Sequence, residues 1–211
     1  MASGDISRIA FNPHKHYTSV RMQQGRVTID DDWNENERIE NEDKRKVRID
    51  IIGAFGSPDQ GFKIINLNQT SYNFDIQAGN FYIGGLRLEM ESDEKFRGQS
   101  DWLQQSDKKY PIPTLNDDEE RFDLVYLEAW QQPVSAVEDS ELFEVALGGP
   151  DTSTRIRNMR RVMIKEDIKS GNCGTAWQNF IDDWEQDKKE KHERIPDTKL
   201  KVGFIEGIKH D

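Results

Sequence analysis

The run Trp33–Ile52 constrains this chain more than any other segment: twenty residues without glycine or proline, crowded with Glu, Lys, Arg and Asn. Straight-chain side chains lose little rotamer freedom in a helix, so a helix is the regular conformation such a run adopts in water. Asp31 or Asp32 is expected to cap its start, and Gly53, Gly56 and Pro58 to end it. Its two halves differ. Val47, Ile51 and Ala54 recur at helical spacing, whereas the first half offers only Trp33 and Ile39, with Glu40 and Lys44 where an apolar stripe would continue. A helix that is polar over several turns bridges between bodies or lies against a partner.

The rest of the chain must therefore supply a core, and it has little apolar material to spare. Hydrophobic residues make up 34% and charged residues 33% of 211, with mean hydropathy −0.88. That composition supports one compact domain with an extended arm and a surface that is largely solvated or meets other chains through polar contacts. We expect residues 1–58 to form an arm and polar helix, and residues 59–211 a mostly β body. A net charge of −11 repels a phosphate backbone and argues against nucleic acid as the ligand. The charge is uneven: residues 1–30 hold Arg8, Lys15, Arg21 and Arg26 against Asp5 and Asp30. The head of the chain is thus suited to an acidic neighbour, including another copy of itself. Cys173 is the only cysteine, which excludes an intrachain disulfide and a cysteine-based zinc site and fits assembly in a reducing cytoplasm. Met1–Phe11 lacks the apolar stretch of a signal peptide, and the densest apolar run, Ile49–Phe55, is broken by Asp50 and Gly53. No membrane insertion is expected.

Beyond the helix the pattern turns to strands. Residues 1–30 read as an arm with one short strand around Arg26–Ile29. Tyr72, Phe74 and Ile76 alternate with polar residues, Gln77–Asn80 supplies a turn, and Phe81, Ile83, Leu86, Leu88 and Met90 continue around Gly84-Gly85 as a hairpin or small meander. Residues 91–120 read as an acidic surface loop with a short helix near Trp102 and Leu103. Phe122–Trp130, with Leu124 to Leu127 in succession, has the composition of a central strand buried on both faces. Asp139–Leu147 reads as a helical turn, Gly148–Asp151 as a tight turn and Arg155–Ile168 as a strand. Thr175–Lys191 is predicted helical with Trp177, Phe180, Ile181 and Trp184 on one face, and Lys199–Asp211 as a strand. The fold class is α+β: a sheet-rich body with a long N-terminal helix and a C-terminal amphipathic helix.

No motif specifies catalysis. His14 and His16 on an extended segment would place both rings on one side, near Asp30, Asp31 and Asp32, yet no third neutral ligand follows from spacing, and acids before a helix are explained by capping and the helix dipole. Paired acids such as Glu138-Asp139 and Asp182-Asp183 are expected by chance among 40 acidic residues. No serine sits in a G-x-S-x-G elbow. Gly148-Gly149-Pro150-Asp151-Thr152 lacks the lysine of a phosphate loop and reads as a turn. Phe122, Tyr126 and Trp130 could line a sugar platform but more often form core. Neither a cofactor nor a metal is expected, and no enzymatic activity.

Three passages resemble one family of proteins encoded with phage tails and extracellular contractile injection systems. The first is Gly4-Asp5-Ile6-Ser7-Arg8, then Phe11 to Tyr17, then Met22-Gln23-Gln24-Gly25-Arg26-Val27 running into Asp30-Asp31-Asp32-Trp33-Asn34-Glu35. The second is Ile76 to Gly85, a strand, glycine, aromatic and glycine pattern. The third is Val125-Tyr126-Leu127-Glu128-Ala129-Trp130, Val137-Glu138-Asp139 and Ala146 to Arg155. The resemblance spans residues 4 to about 164 and fades beyond Ile164. It implies a structural part of a phage-tail-like particle, in or around the baseplate or spike, that acts by binding other subunits and copies of itself. Gly25 permits a turn, Arg26 suits a two-pronged carboxylate contact and Trp33 supplies a large anchor. The expected interface residues are Arg8, Tyr17, Arg21, Arg26, Trp33 and Arg38. The alternatives are a cargo protein carried in the tube lumen or spike cavity, and a module that binds cell-surface glycans.

Overall fold

The computed structural model describes residues 11–68, 70–99, 121–168 and 172–190, with side chains through residue 186. Among them are eight strands in three sheets and two α-helices, a mixed α+β fold. The predicted helix near Trp102 and the strand over Lys199–Asp211 lie outside the described residues.

The long helix, α1, spans Asp30–Ile52. It starts earlier than the cap expected from sequence: Ile29 holds the cap position without a side-chain hydrogen bond, and Asp30, Asp31 and Asp32 fill the first turn, where their charge complements the helix dipole. No strand forms around Arg26–Ile29; residues 11–29 contain one short 3-10 turn, Pro13–Lys15, and a turn at Gln24-Gly25. Among the described residues no strand pairs with that alternation.

Six strands follow: β1 (Phe55–Gly56), β2 (Ile64–Asn68), β3 (Asn73–Ile76), β4 (Gly79–Ile83), β5 (Leu86–Met90) and β6 (Glu94–Lys95). The expected single meander is divided in two. β4 pairs with β1 and β5, whereas β3 pairs with β2 and β6, all antiparallel. The break falls at Gln77–Gly79, where Gly79 has φ +135° and redirects the chain. Within β4 and β5 the register Phe81↔Leu88 and Ile83↔Leu86 closes through Gly84 and Gly85, both at positive φ as a two-residue hairpin requires.

Residues 94–99 are not surface loop as expected. Phe96 is buried and stacks on Phe74 at 4.7 Å between centroids, so an aromatic side chain between the exposed Lys95 and Arg97 reaches the core. That core joins Phe74, Ile76, Met90 and Phe96 to Val162 and Ile164. Gln99, also buried, acts on it as a strand edge would: its Nε2 donates to the Phe96 and Val162 carbonyls at 3.0 and 2.9 Å, and its Oε1 accepts from Val162 N at 2.8 Å.

The two long strands, β7 (Leu124–Val134) and β8 (Arg155–Lys165), form a two-stranded sheet of their own. β7 is therefore not the central strand its composition suggested. Leu124 is buried, but Val125, Tyr126 and Leu127 are only partly covered and Glu128 is exposed, and Pro133 suits a strand with one neighbour. The second helix, α2 (Cys173–Glu190), is capped by Asn172 Oδ1, which accepts from Gly174 N and Thr175 N. Its Ala176, Trp177 and Phe180 pack with Leu124 and Ile168. The chain clusters into two compact units. One runs to Gly53 and takes in Trp130–Met159; the other takes in Ala54–Ala129 and the chain from Arg160.

Candidate assembly surface

Among the described residues one hydrogen bond ties the arm to the helix. Asn36, one turn and a half into α1, accepts a hydrogen bond from Val20 N at 3.1 Å, and the remaining hydrogen bonds of residues 11–28 are local to the arm. Residues 12–19 and 21–29 are all exposed. Of the residues expected at an interface, Arg8 lies outside the described residues. Tyr17 is exposed, with Lys15 Nζ 5.8 Å from its ring centroid. Arg21 and Arg26 are exposed and make no ion pair or side-chain hydrogen bond among the described residues, and Arg38 is half-buried without one. Trp33 is 65% exposed, a large apolar area to leave in water.

On α1 the buried side is set by Asp31 and Ile39, not by the apolar residues of its second half. Trp33, Glu37, Glu40, Lys44, Val47 and Ile51 follow one another at helical spacing, and all six are exposed. The stripe of Val47 and Ile51 that looked like a core-facing half thus lines up with Trp33 on the open face. Glu40 and Lys44 between them pair with each other at 3.3 Å. The result is a face with an apolar anchor at each end and a charged middle, where Glu37 stands beside the Glu40–Lys44 pair. Arg38 lies five positions from Trp33, about 140° around the helix, so the two do not share a face.

His14 is in the 3-10 turn and His16 is left-handed at φ 55°, which replaces the extended H-x-H geometry expected there. Among the described residues no group of three His, Cys, Asp or Glu is placed to hold a metal ion. Phe122, Tyr126 and Trp130 are not a buried set: Phe122 is exposed, and Tyr126 packs on Phe180 at 4.6 Å. An open groove lined by Lys165, Asp167, Ile168, Asn179, Asp182 and Asp183 is polar and partly filled by the Lys165–Asp183 ion pair at 3.6 Å. No described helix is long and apolar enough to cross a membrane.

Two polar clusters brace the strand-rich unit. Tyr72 Oη donates to Asp123 Oδ2 at 2.6 Å, and Asp123 Oδ1 accepts from Arg121 Nε at 2.7 Å and Asp167 N at 2.8 Å. Burial alone would raise the Asp123 carboxyl; the bonds from Arg121, Tyr72 and Asp167 outweigh it and hold the group below the usual carboxylate range. Burial, then the bond to Asp123, raises the Tyr72 phenol. The second cluster is Asp59, held down to about 2 by the Asn80 side chain and backbone, with Gly61 N and Ser57 adding to it. Both clusters link segments far apart in sequence.

Sequence reading missed a further surface. The connection between β7 and β8 exposes Val137, Phe143, Val145 and Leu147. Its signal is compositional: apolar residues interleaved with acids and no lysine or arginine from Ser135 to Thr154.

Residues 2–180 of the chain match a family of unknown function, DUF6519. The chain belongs to that family. The match takes in the arm, α1, all eight strands and the first turns of α2, so the exposed surfaces described above lie within the DUF6519 region. No curated protein and no protein of solved structure matches the chain.

Proposed function

We propose that this DUF6519 protein is a structural part of a phage-tail-like contractile injection particle, in or around its baseplate or spike, and that it works by protein–protein assembly rather than catalysis. The supporting observation is the uncovered arm and α1 face. Trp33, Val47 and Ile51 stand in water along one line, beside an arm whose Arg21 and Arg26 have no ion-pair partner among the described residues. Large aromatic and arginine side chains of this kind carry most of the binding energy where protein surfaces meet. The placement in a contractile particle rests on the three sequence passages that resemble proteins of such systems.

The test is deletion of residues 1–30 in a host that assembles the particle. Loss of the protein from purified particles, with the rest of the particle present, is the expected result. Normal incorporation of the truncated chain refutes the reading. Copy number separates the structural role from carried cargo: a fixed stoichiometry, commonly in threes or sixes, is expected of a structural part, and a variable one of cargo.

A further inference from the structure

The connection between β7 and β8 holds exposed apolar side chains on an internally bonded backbone. Its backbone is tied down from within: Glu144 N donates to the Pro150 carbonyl at 3.0 Å, Gly149 N to the Glu144 carbonyl at 3.1 Å, and Phe143 bridges Asp151. Asp139 and Glu144 cap its two 3-10 turns. On this fixed frame Val137 is 90% and Val145 88% exposed. A loop free to collapse would turn such side chains inward; here the ordering cost of presenting them is already met by the fold. Around them stand Glu138, Asp139, Glu141, Glu144 and Asp151 with no cation among them. Glu138 and Asp139 face the half-buried Arg157, while Glu141, Glu144 and Asp151 make no ion pair among the described residues.

The surface that complements this one is on the same chain. The arm interleaves Arg21 and Arg26 with exposed Met22 and Val27, opposite in charge and alike in apolar content. No hydrogen bond or ion pair joins residues 11–29 to residues 135–151 among the described residues. We propose that the arm of one copy docks on the acidic, apolar β7–β8 connection of the next, a head-to-tail contact that leaves one arm and one connection open at each step. Such a contact closes into a ring if the rotation per copy permits and extends into a filament if not. The inference rests on the assembly reading above and gives it a specific self-contact.

Sedimentation of the purified full chain over a range of concentration tests this. Wild type is expected to associate, less so as salt is raised. Arg21→Glu with Arg26→Glu in one variant, and Glu141→Arg with Asp151→Arg in another, are each expected to weaken association by about tenfold or more. All four side chains are exposed, so circular dichroism is expected to match wild type. Mixing the two variants restores association, because each reversed surface then finds its complement on the other chain. Val145→Ser weakens association without altering charge. A wild type that stays monomeric, or a mixture that gains nothing over its components, overturns the proposal. If particles nonetheless lose the chain when residues 1–30 are removed, the assembly reading stands and only the self-contact falls.

Discussion

Gly61 shows how little room a single residue has where two backbone segments cross. A Cβ there would meet Asn80 N and the Gly79 carbonyl carbon at 2.5 Å, and neither can move without shifting β4. Gly61→Ala is therefore expected to destabilise by about 1–3 kcal/mol, the range for overpacking a tight site, read as a lower urea midpoint. Asp59, one of the groups that hold this crossing, and Asp123 both have carboxyl pKa values depressed by the bonds they accept. A depressed acid binds its proton more weakly when folded than unfolded. Its contribution is present above the ordinary carboxylate value of about 4 and fades as pH falls through the folded value, about 2 for Asp59. Unfolding midpoints are expected to drop between pH 5 and pH 2, and Asp123→Asn to flatten that drop; an unchanged profile in the variant would show that Asp123 does not contribute. Gln99 is the third case. Gln99→Leu keeps bulk but leaves Val162 N–H and C=O buried without their partner, an expected cost of about 1–3 kcal/mol for each.

At the scale of elements, α1 has one anchored side and one exposed side. Its inner side, Asp31 and Ile39, is anchored, so Ile39→Ala is expected to cost about 2–5 kcal/mol. The residues of its outer line are exposed. Trp33→Ala combined with Ile51→Ser is expected to leave the urea midpoint within about 0.5 kcal/mol of wild type, as surface changes usually do, while sharply reducing recovery in particles. A large stability loss with unchanged incorporation would reverse the assignment of the two faces. The helix itself was legible from residues alone, because the absence of Gly and Pro and the dense charge act locally. Which side is buried was not: Val47 and Ile51 have helical spacing, but spacing identifies a face and says nothing of what lies opposite it.

For the whole molecule the decisive trait is an arm whose described residues make one hydrogen bond outside their own turns, Val20 N to Asn36. In the isolated chain trypsin is expected to cut early after Arg21 and Arg26, where the backbone is exposed. Within an assembled particle the same sites are expected to be protected, and equal cleavage rates in both states would count against burial of the arm on assembly. In the proposed self-contact, the acidic balance of −11 and the basic head would act together.

By itself the sequence determined the α+β class, the two helices, the strands from Asn73 to Met90 and the turn at Gly148-Gly149, all of which depend on local propensity, periodicity and glycine's tolerance of positive φ. Tertiary structure alone decided that the strand region splits at Gly79 into two sheets, that Phe96 and Gln99 complete the core, that β7 has one neighbour and not two, and that the β7–β8 connection faces water. Those outcomes are settled by pairing between residues distant in sequence, where the free energy depends on which surface meets which, a quantity that no window along the chain contains.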